Sequence, residues 1–390
     1  MVTQLKIDAR VVKRLEAEVK QLLEEYRKNL SLKDNSTSQS LASKFKNITS
    51  KTTTKKFKDG STYEGELNTD GTRHGRGIMY FSNNHIYFGD WSNDLFHGNG
   101  VYIFDNYERY NGQLSYGRKN GKGDFYYANG NVYRGNWKDD EKHGAGELEF
   151  ANGDHVKGTW ENGMYSGQVK YSYFYGDQFE GTYKFGKKNG FGRLQFDNGA
   201  TYEGEWLNDK AHGNGRMIYP NGDVYEGNFE HGVKSGQGKY RYFSDEIYQG
   251  RWENDEKNGN GTMIYKNGDR YSGEWRDGLR CGKGIYKSVS GYEYRGHFRN
   301  GKRHGVGILI HPDKSSYNGE WNNGDMSGNG IYTLTNGDRY EGKWLQNKKH
   351  GKGKYYWASG DILEGEFSND EIVSGRFLKV DGTILDINLK

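Results

Sequence analysis

The sequence predicts an all-β chain: an elongated, single-layer antiparallel β-meander of about fourteen 23-residue hairpin repeats, preceded by one N-terminal α-helix. Three observations predict it. An aromatic-x-Gly triplet recurs at a fixed period, apolar residues alternate around it at period two, and the composition suits a thin aromatic sheet. Only 32% of the residues are hydrophobic, with mean hydropathy −1.08, yet the chain holds 59 Gly, 32 Tyr, 18 Phe and 9 Trp and only 2 Pro. Disordered chains are also polar and Gly-rich, but they lack aromatics.

The triplet opens at Tyr63, Tyr87, Tyr110, Tyr133, Val156, Phe179, Tyr202, Tyr225, Tyr248, Tyr271, Tyr294, Tyr317, Tyr340 and Leu363; the first step is 24 residues and the next twelve are each 23. In the unit from Tyr202, the residues Tyr202, Gly204 and Trp206 share one strand face, while Glu203 and Glu205 point to solvent. After a six-residue polar connection, Gly213, Gly215, Met217 and Tyr219 are expected on that same face. Pro220-Asn221-Gly222-Asp223 then signals a turn. Four residues after the opening position, every unit places a large apolar side chain. The glycines leave slots in which rings from adjacent strands are expected to lie flat, since strand glycine marks close approach of another group.

These residues resemble the MORN motif (membrane occupation and recognition nexus), Tyr-x-Gly-x-Trp followed by a polar turn and His-Gly-x-Gly, in thirteen in-register units. The resemblance implies a single-layered, elongated, twisted meander with a concave aromatic groove, often forming extended dimers. Two units depart from the pattern. The fifth has Val156 and Val169 for the opening Tyr and the second Gly, followed by Tyr171, Tyr173, Phe174 and Tyr175. The last begins with Leu363 and lacks the paired Gly, which suits a terminal cap, with residues 383–387 as capping strand.

Ahead of the array (59–390), two segments are expected. In residues 1–30, Leu5, Val12, Val19 and Tyr26 recur at seven, giving a helical arm with one apolar stripe. Docking on the array or a partner, dimerisation, and lying on a membrane surface all remain open for it. Residues 31–58 read as a flexible basic linker. Residues 1–56 hold thirteen Lys or Arg against six Asp or Glu, a charge of +7, so the remainder carries −3 of the total +4. Lys44, Lys46, Lys51, Lys55 and Lys56 are the candidate contacts to an acidic phospholipid or other acidic surface. The net charge as a whole says little about partners, and no nucleic-acid partner is expected.

Cys281 is the single cysteine, which excludes an internal disulfide and any multi-cysteine metal site and fits a reducing compartment. The N-terminus shows no secretory h-region and no apolar run reaches bilayer-spanning length. His-Gly-x-Gly occurs at His74, His97, His143, His212, His304 and His350, but the same slot elsewhere holds Asn, Ser or Cys281. A slot with that tolerance is a polar turn position hydrogen-bonding the loop backbone, and units about 10 Å apart cannot converge on one ion. Gly-Lys-Gly at Gly121, Gly282 and Gly351 lacks the following helix a phosphate loop needs. Neither a metal, a cofactor nor a catalytic constellation is expected. Enzymes and membrane anchors that carry this motif hold those functions outside the repeats.

The leading expectation is therefore a non-catalytic scaffold of cilia or axoneme, basal body or cell cortex. It would grip a protein helix or extended peptide along groove aromatics Trp137, Trp160, Tyr202, Trp206, Trp252, Trp275, Trp321 and Trp344, with a homodimer as a further expectation. The competing expectation is a peripheral membrane adaptor acting through the basic arm.

Overall fold

The computed structural model describes residues 53–106 and 108–388. Every regular element among them is a β-strand, and within each of two compact units strands adjacent in sequence pair antiparallel. The expected N-terminal helix lies outside the described residues. Two compact units divide at Ala151 and Asn152. The first contains nine strands, from Thr53–Lys56 to Glu141–Glu149, and the second twenty-one, from His155–Glu161 to Ile384–Asn388. Each is an open meander one sheet thick.

The expected hairpin is present, with different bounds. Strand Thr201–Leu207 pairs with Lys210–Ile218, so the six-residue connection shrinks to the two-residue turn Asn208-Asp209. Both turn residues have positive φ, 49° and 68°, the mirror-image geometry whose twist matches that of the flanking strands. Asn and Asp tolerate this conformation, and several other units place Gly second. At the other end, the Gly222 amide donates to the Tyr219 carbonyl and the Tyr219 amide to the Asp223 carbonyl, both at 2.9 Å, which returns the chain into Val224–Glu230.

Within the hairpin the register slips between Gly204 and Glu205: Gly204 faces Gly215, but Glu205 faces His212. Gly213 and Asn214 are thus looped out as a bulge. Gly213 adopts φ +59°, and a Cβ there would meet the Glu205 carboxylate, so this glycine belongs to the opposite face from the aromatics, contrary to the period-two expectation. The Glu205 carboxylate accepts the Asn214 amide at 2.9 Å. The same closure joins Glu320 to Asn329, Glu274 to Lys283 and Gln113 to Lys122. A side chain read as solvent-facing therefore stabilises the bulge.

The core is a row of rings seated on glycine pairs. A Cβ on Gly204 would lie 2.7 Å from the Tyr202 hydroxyl, and one on Gly215 would lie 2.5 to 2.8 Å from the same ring. The slot is therefore filled by the ring of its own hairpin, not by one from an adjacent unit. The Tyr202 hydroxyl turns back to donate to the Glu205 carbonyl at 2.9 Å, so burying the ring leaves no orphaned donor. Burial pushes this phenol up to about 12, the Glu205 charge adding to the effect.

In the fifth unit Val156 cannot reach across the pair, and Val169 replaces the second glycine. Its Cγ2 comes within 2.9 Å of where a Gly158 Cβ would be, so the missing ring is replaced by the side chain that occupies its seat. In the last unit Ile372 approaches the Gly365 position similarly, at 2.7 Å. The expected capping strand is present as Ile384–Asn388, paired with Glu371–Leu378. Residues 53–56, within the expected linker, instead form a strand on Thr62–Leu67.

Candidate functional site

One sheet face carries the aromatic rows and the other carries charge. On the charged face, cross-strand partners form a ladder: Lys170 with Glu180 at 3.0 Å, Arg216 with Glu226 at 2.8 Å, Lys354 with Glu364 at 3.1 Å. These pairs are exposed, so water and salt screen them and they add little to stability.

On the aromatic face, tryptophans four residues after the opening position join their units to the ones before. Trp206 donates its indole N–H to the Gly192 carbonyl at 3.0 Å and faces Gly190 across the strands. Its ring meets Phe179 and Tyr202 edge-on, at 5.4 and 5.0 Å. Trp252, Trp275, Trp321 and Trp344 repeat this bond to Gly238, Gly261, Gly307 and Gly330. Trp137, in the first unit, does so to Gly123. All eight aromatics expected to contact a partner, including Trp160 and Tyr202, are 3–7% exposed. The structure seats these rings in the sheet's own packing, and the accessible surface falls to the side chains around them.

Prominent among these is a row of cations that the sequence reading passed over. The residue preceding the His/Asn/Ser slot is Lys or Arg in nine of the fourteen units. In the second compact unit, Lys234 Nζ lies 5.2 Å from the Trp252 ring, Lys257 Nζ 5.0 Å from Trp275, and the Arg303 guanidinium 4.1 Å from Trp321. Each cation faces its own unit's aromatic across the hairpin and reaches forward onto the next unit's ring. Cation–π contacts of this kind contribute from about 0.5 to 2 kcal/mol as the cation is desolvated. Burial pulls the Lys257, Lys188 and Arg303 groups below their usual values, with Glu246, Asp209 and Tyr294 respectively opposing it. The backbone fixes their position: the Asp209 carboxylate accepts the Lys188 amide at 2.8 Å while its own amide donates to the Lys188 carbonyl at 3.1 Å. A basic residue recurring at period 23 just before the slot was the available signal.

The slot itself lies within the second strand and not in a turn. His212 faces Glu205 there, and the Nδ1 atoms of His212, His304 and His350 are buried without a hydrogen-bond partner, so these rings do not bond the loop backbone through that atom. Among the described residues no group of three or more His, Cys, Asp or Glu is placed to hold a metal ion. Of the basic candidates, Lys44, Lys46 and Lys51 lie outside the described residues. Lys55 and Lys56 are exposed on the first strand, where Lys55 Nζ donates to the Gly71 carbonyl at 3.2 Å.

A hairpin closed by a two-residue turn, a glycine pair under its own tyrosine and a tryptophan reaching one unit back define a tandem β-hairpin repeat protein. Comparison with known families finds thirteen MORN repeats, from residues 63–86 through 340–362, the fifth of them shortened to 157–174. The chain belongs to the MORN-repeat family.

A curated relative, an inactive protein tyrosine kinase pTKL of Plasmodium berghei (strain Anka), is 41% identical over 54 residues, 14% of this chain; the chain spans 4% of that protein's length. Among solved structures, the SAS-4 (dCPAP) TCP domain of Drosophila melanogaster, in complex with a proline-rich motif of Ana2 (dSTIL), is 18% identical. That match covers 40% of this chain and 85% of that one at a TM-score of 0.27. The wild-type TCP10 domain of Danio rerio CPAP is 9% identical, covering 86% and 100% at a TM-score of 0.10. Similarity at this level carries no argument about fold or function.

Proposed function

We propose that this chain is a non-catalytic scaffold that holds a protein partner along the aromatic face of its repeats, within a cytoskeletal assembly of the cilium, basal body or cell cortex. The observation that carries the reading is the division of labour within each unit. The large rings are consumed in joining neighbouring hairpins, which gives a rigid, repeating platform. Around them the same face presents part-exposed tyrosines such as Tyr242 and Tyr265 and, in nine of the fourteen units, a cation, the pattern of an extended contact. Repeat-only members of the family resemble radial-spoke-head and cortical components, which supports the placement by analogy alone.

The test is site-specific photo-crosslinking in cells, with the crosslinker at Tyr242 or Tyr265 on the aromatic face or at Gln249 on the charged face. Adducts to one defined protein at the first two positions, from a cytoskeletal fraction, support the reading. Adducts confined to Gln249, or a tagged chain absent from that fraction, refute it.

A further inference from the structure

We infer that the partner segment held on the aromatic face is acidic, an extended Glu- or Asp-rich peptide seated on the cations between Lys234 and Arg303. This rests on the docking role proposed above and specifies the partner's chemistry.

The argument starts from desolvated charge. Lys257, Arg280 and Arg303 sit among rings, and none has a carboxylate within ion-pair distance among the described residues; Lys234 alone of this run has one, Asp255 at 3.3 Å. A half-buried cation with no carboxylate in ion-pair contact has given up hydration without a direct counter-charge, so an incoming anion gains from every such site. Arg280 and Arg303 each spend one N–H group on a backbone carbonyl, Gly301 at 2.6 Å and Gly324 at 2.8 Å. A guanidinium has five N–H donors, so both retain donors suited to a carboxylate.

Both arginines line one open groove of about 990 Å³, walled by Tyr265 and Tyr286. The groove also contains two carboxylates, and both are engaged. Asp269 accepts the Tyr286 hydroxyl and the Val289 amide, and Glu246 accepts the Ser244 hydroxyl at 3.1 Å.

Spacing selects a peptide. Cations occur once per unit in four consecutive units, and two strands advance a sheet by about 10 Å. An extended polyproline II chain rises about 3.1 Å per residue with three residues per turn, so side chains three residues apart share one face at about 9 Å and match that interval. A row of matched charges also explains why the cation varies between Lys and Arg while its place in the unit does not.

The experiment measures binding of a fluorescent oligoglutamate peptide to the full chain by anisotropy at two ionic strengths. The variants are R280Q/R303Q and R280K/R303K, with K239Q/K283Q removing the same charge from the opposite face. Circular dichroism melts confirm that each variant is folded. The expected result is salt-sensitive binding, weakened about tenfold or more in R280Q/R303Q, largely restored in R280K/R303K and unchanged in K239Q/K283Q. Absence of binding, equal loss in K239Q/K283Q, or indifference to R280Q/R303Q overturns the inference. Capture of acidic phospholipid vesicles through the same arginines, with no peptide binding, also overturns it and assigns the groove to a lipid surface. Crosslinks at Tyr265 to a partner without an acidic segment would leave the docking role intact and defeat this inference alone.

Discussion

Replacing Gly215 with alanine tests the seat of the tyrosine ring. A new Cβ would stand 2.5 Å from the Tyr202 hydroxyl and 2.7 and 2.8 Å from two ring carbons, so the ring must move. Forcing one carbon into a filled site costs about 1–3 kcal/mol. A displaced ring also weakens edge-on contacts to Trp206 at 5.0 Å and Phe229 at 5.1 Å, and strains its bond to the Glu205 carbonyl. Those add about 1 kcal/mol or more, giving roughly 3 kcal/mol in total. Gly232→Ala is the control: nothing lies within 4 Å of its Cβ, and only its φ of +95° is strained, costing about 1 kcal/mol.

Urea unfolding followed by tryptophan fluorescence, with hydrogen exchange over residues 201–218, reads the loss as local opening, since repeat arrays need not unfold as one. Tyr202→Ala completes a double-mutant cycle. With the ring gone, Gly215→Ala has nothing to displace, and the coupling should reach about 2 kcal/mol. Equal losses for Gly215→Ala and Gly232→Ala, or an additive cycle, would refute the seating argument.

Three further outcomes are expected. Trp252→Ala should cost about 3–5 kcal/mol because the indole is buried between two units, whereas Phe243→Ala, 77% exposed, should stay within about 0.5 kcal/mol; thermal melts compare them. Glu205→Ala should cost about 1 kcal/mol and speed exchange of the Asn214 amide, while Glu205→Gln should retain most of the bulge closure. Burial raises the Asp223 carboxyl, but hydrogen bonds from the Tyr240 hydroxyl and Phe243 amide outweigh it and hold the group below the usual range. Its stabilising contribution is thus present above about pH 4 and lost as pH falls through the lower folded value, so Asp223→Asn should flatten the acid limb of a stability–pH curve.

Much of this fold was legible because its causes are local. Period-two alternation, Asn/Asp/Gly turn chemistry and a 23-residue recurrence each act within a few residues, and together they define strands, turns and the number of hairpins. The His212 slot was read as a turn position and is not one, because a strand continues through it.

The remainder depended on register. A looped-out Gly213-Asn214 moves Gly213 off the aromatic face and brings Glu205 opposite His212, which no alternation rule anticipates. Which ring fills a glycine slot is decided by side-chain reach: Tyr202 folds back over Gly204 and Gly215, leaving Trp206 to cross to Gly192, fourteen residues earlier. The sequence by itself determined that aromatics and glycines share a face and that the unit repeats. Only the tertiary structure decided that the tryptophans are buried within the protein and that cations stand beside them, because close packing between hairpins, and not periodicity, fixes which groups remain accessible.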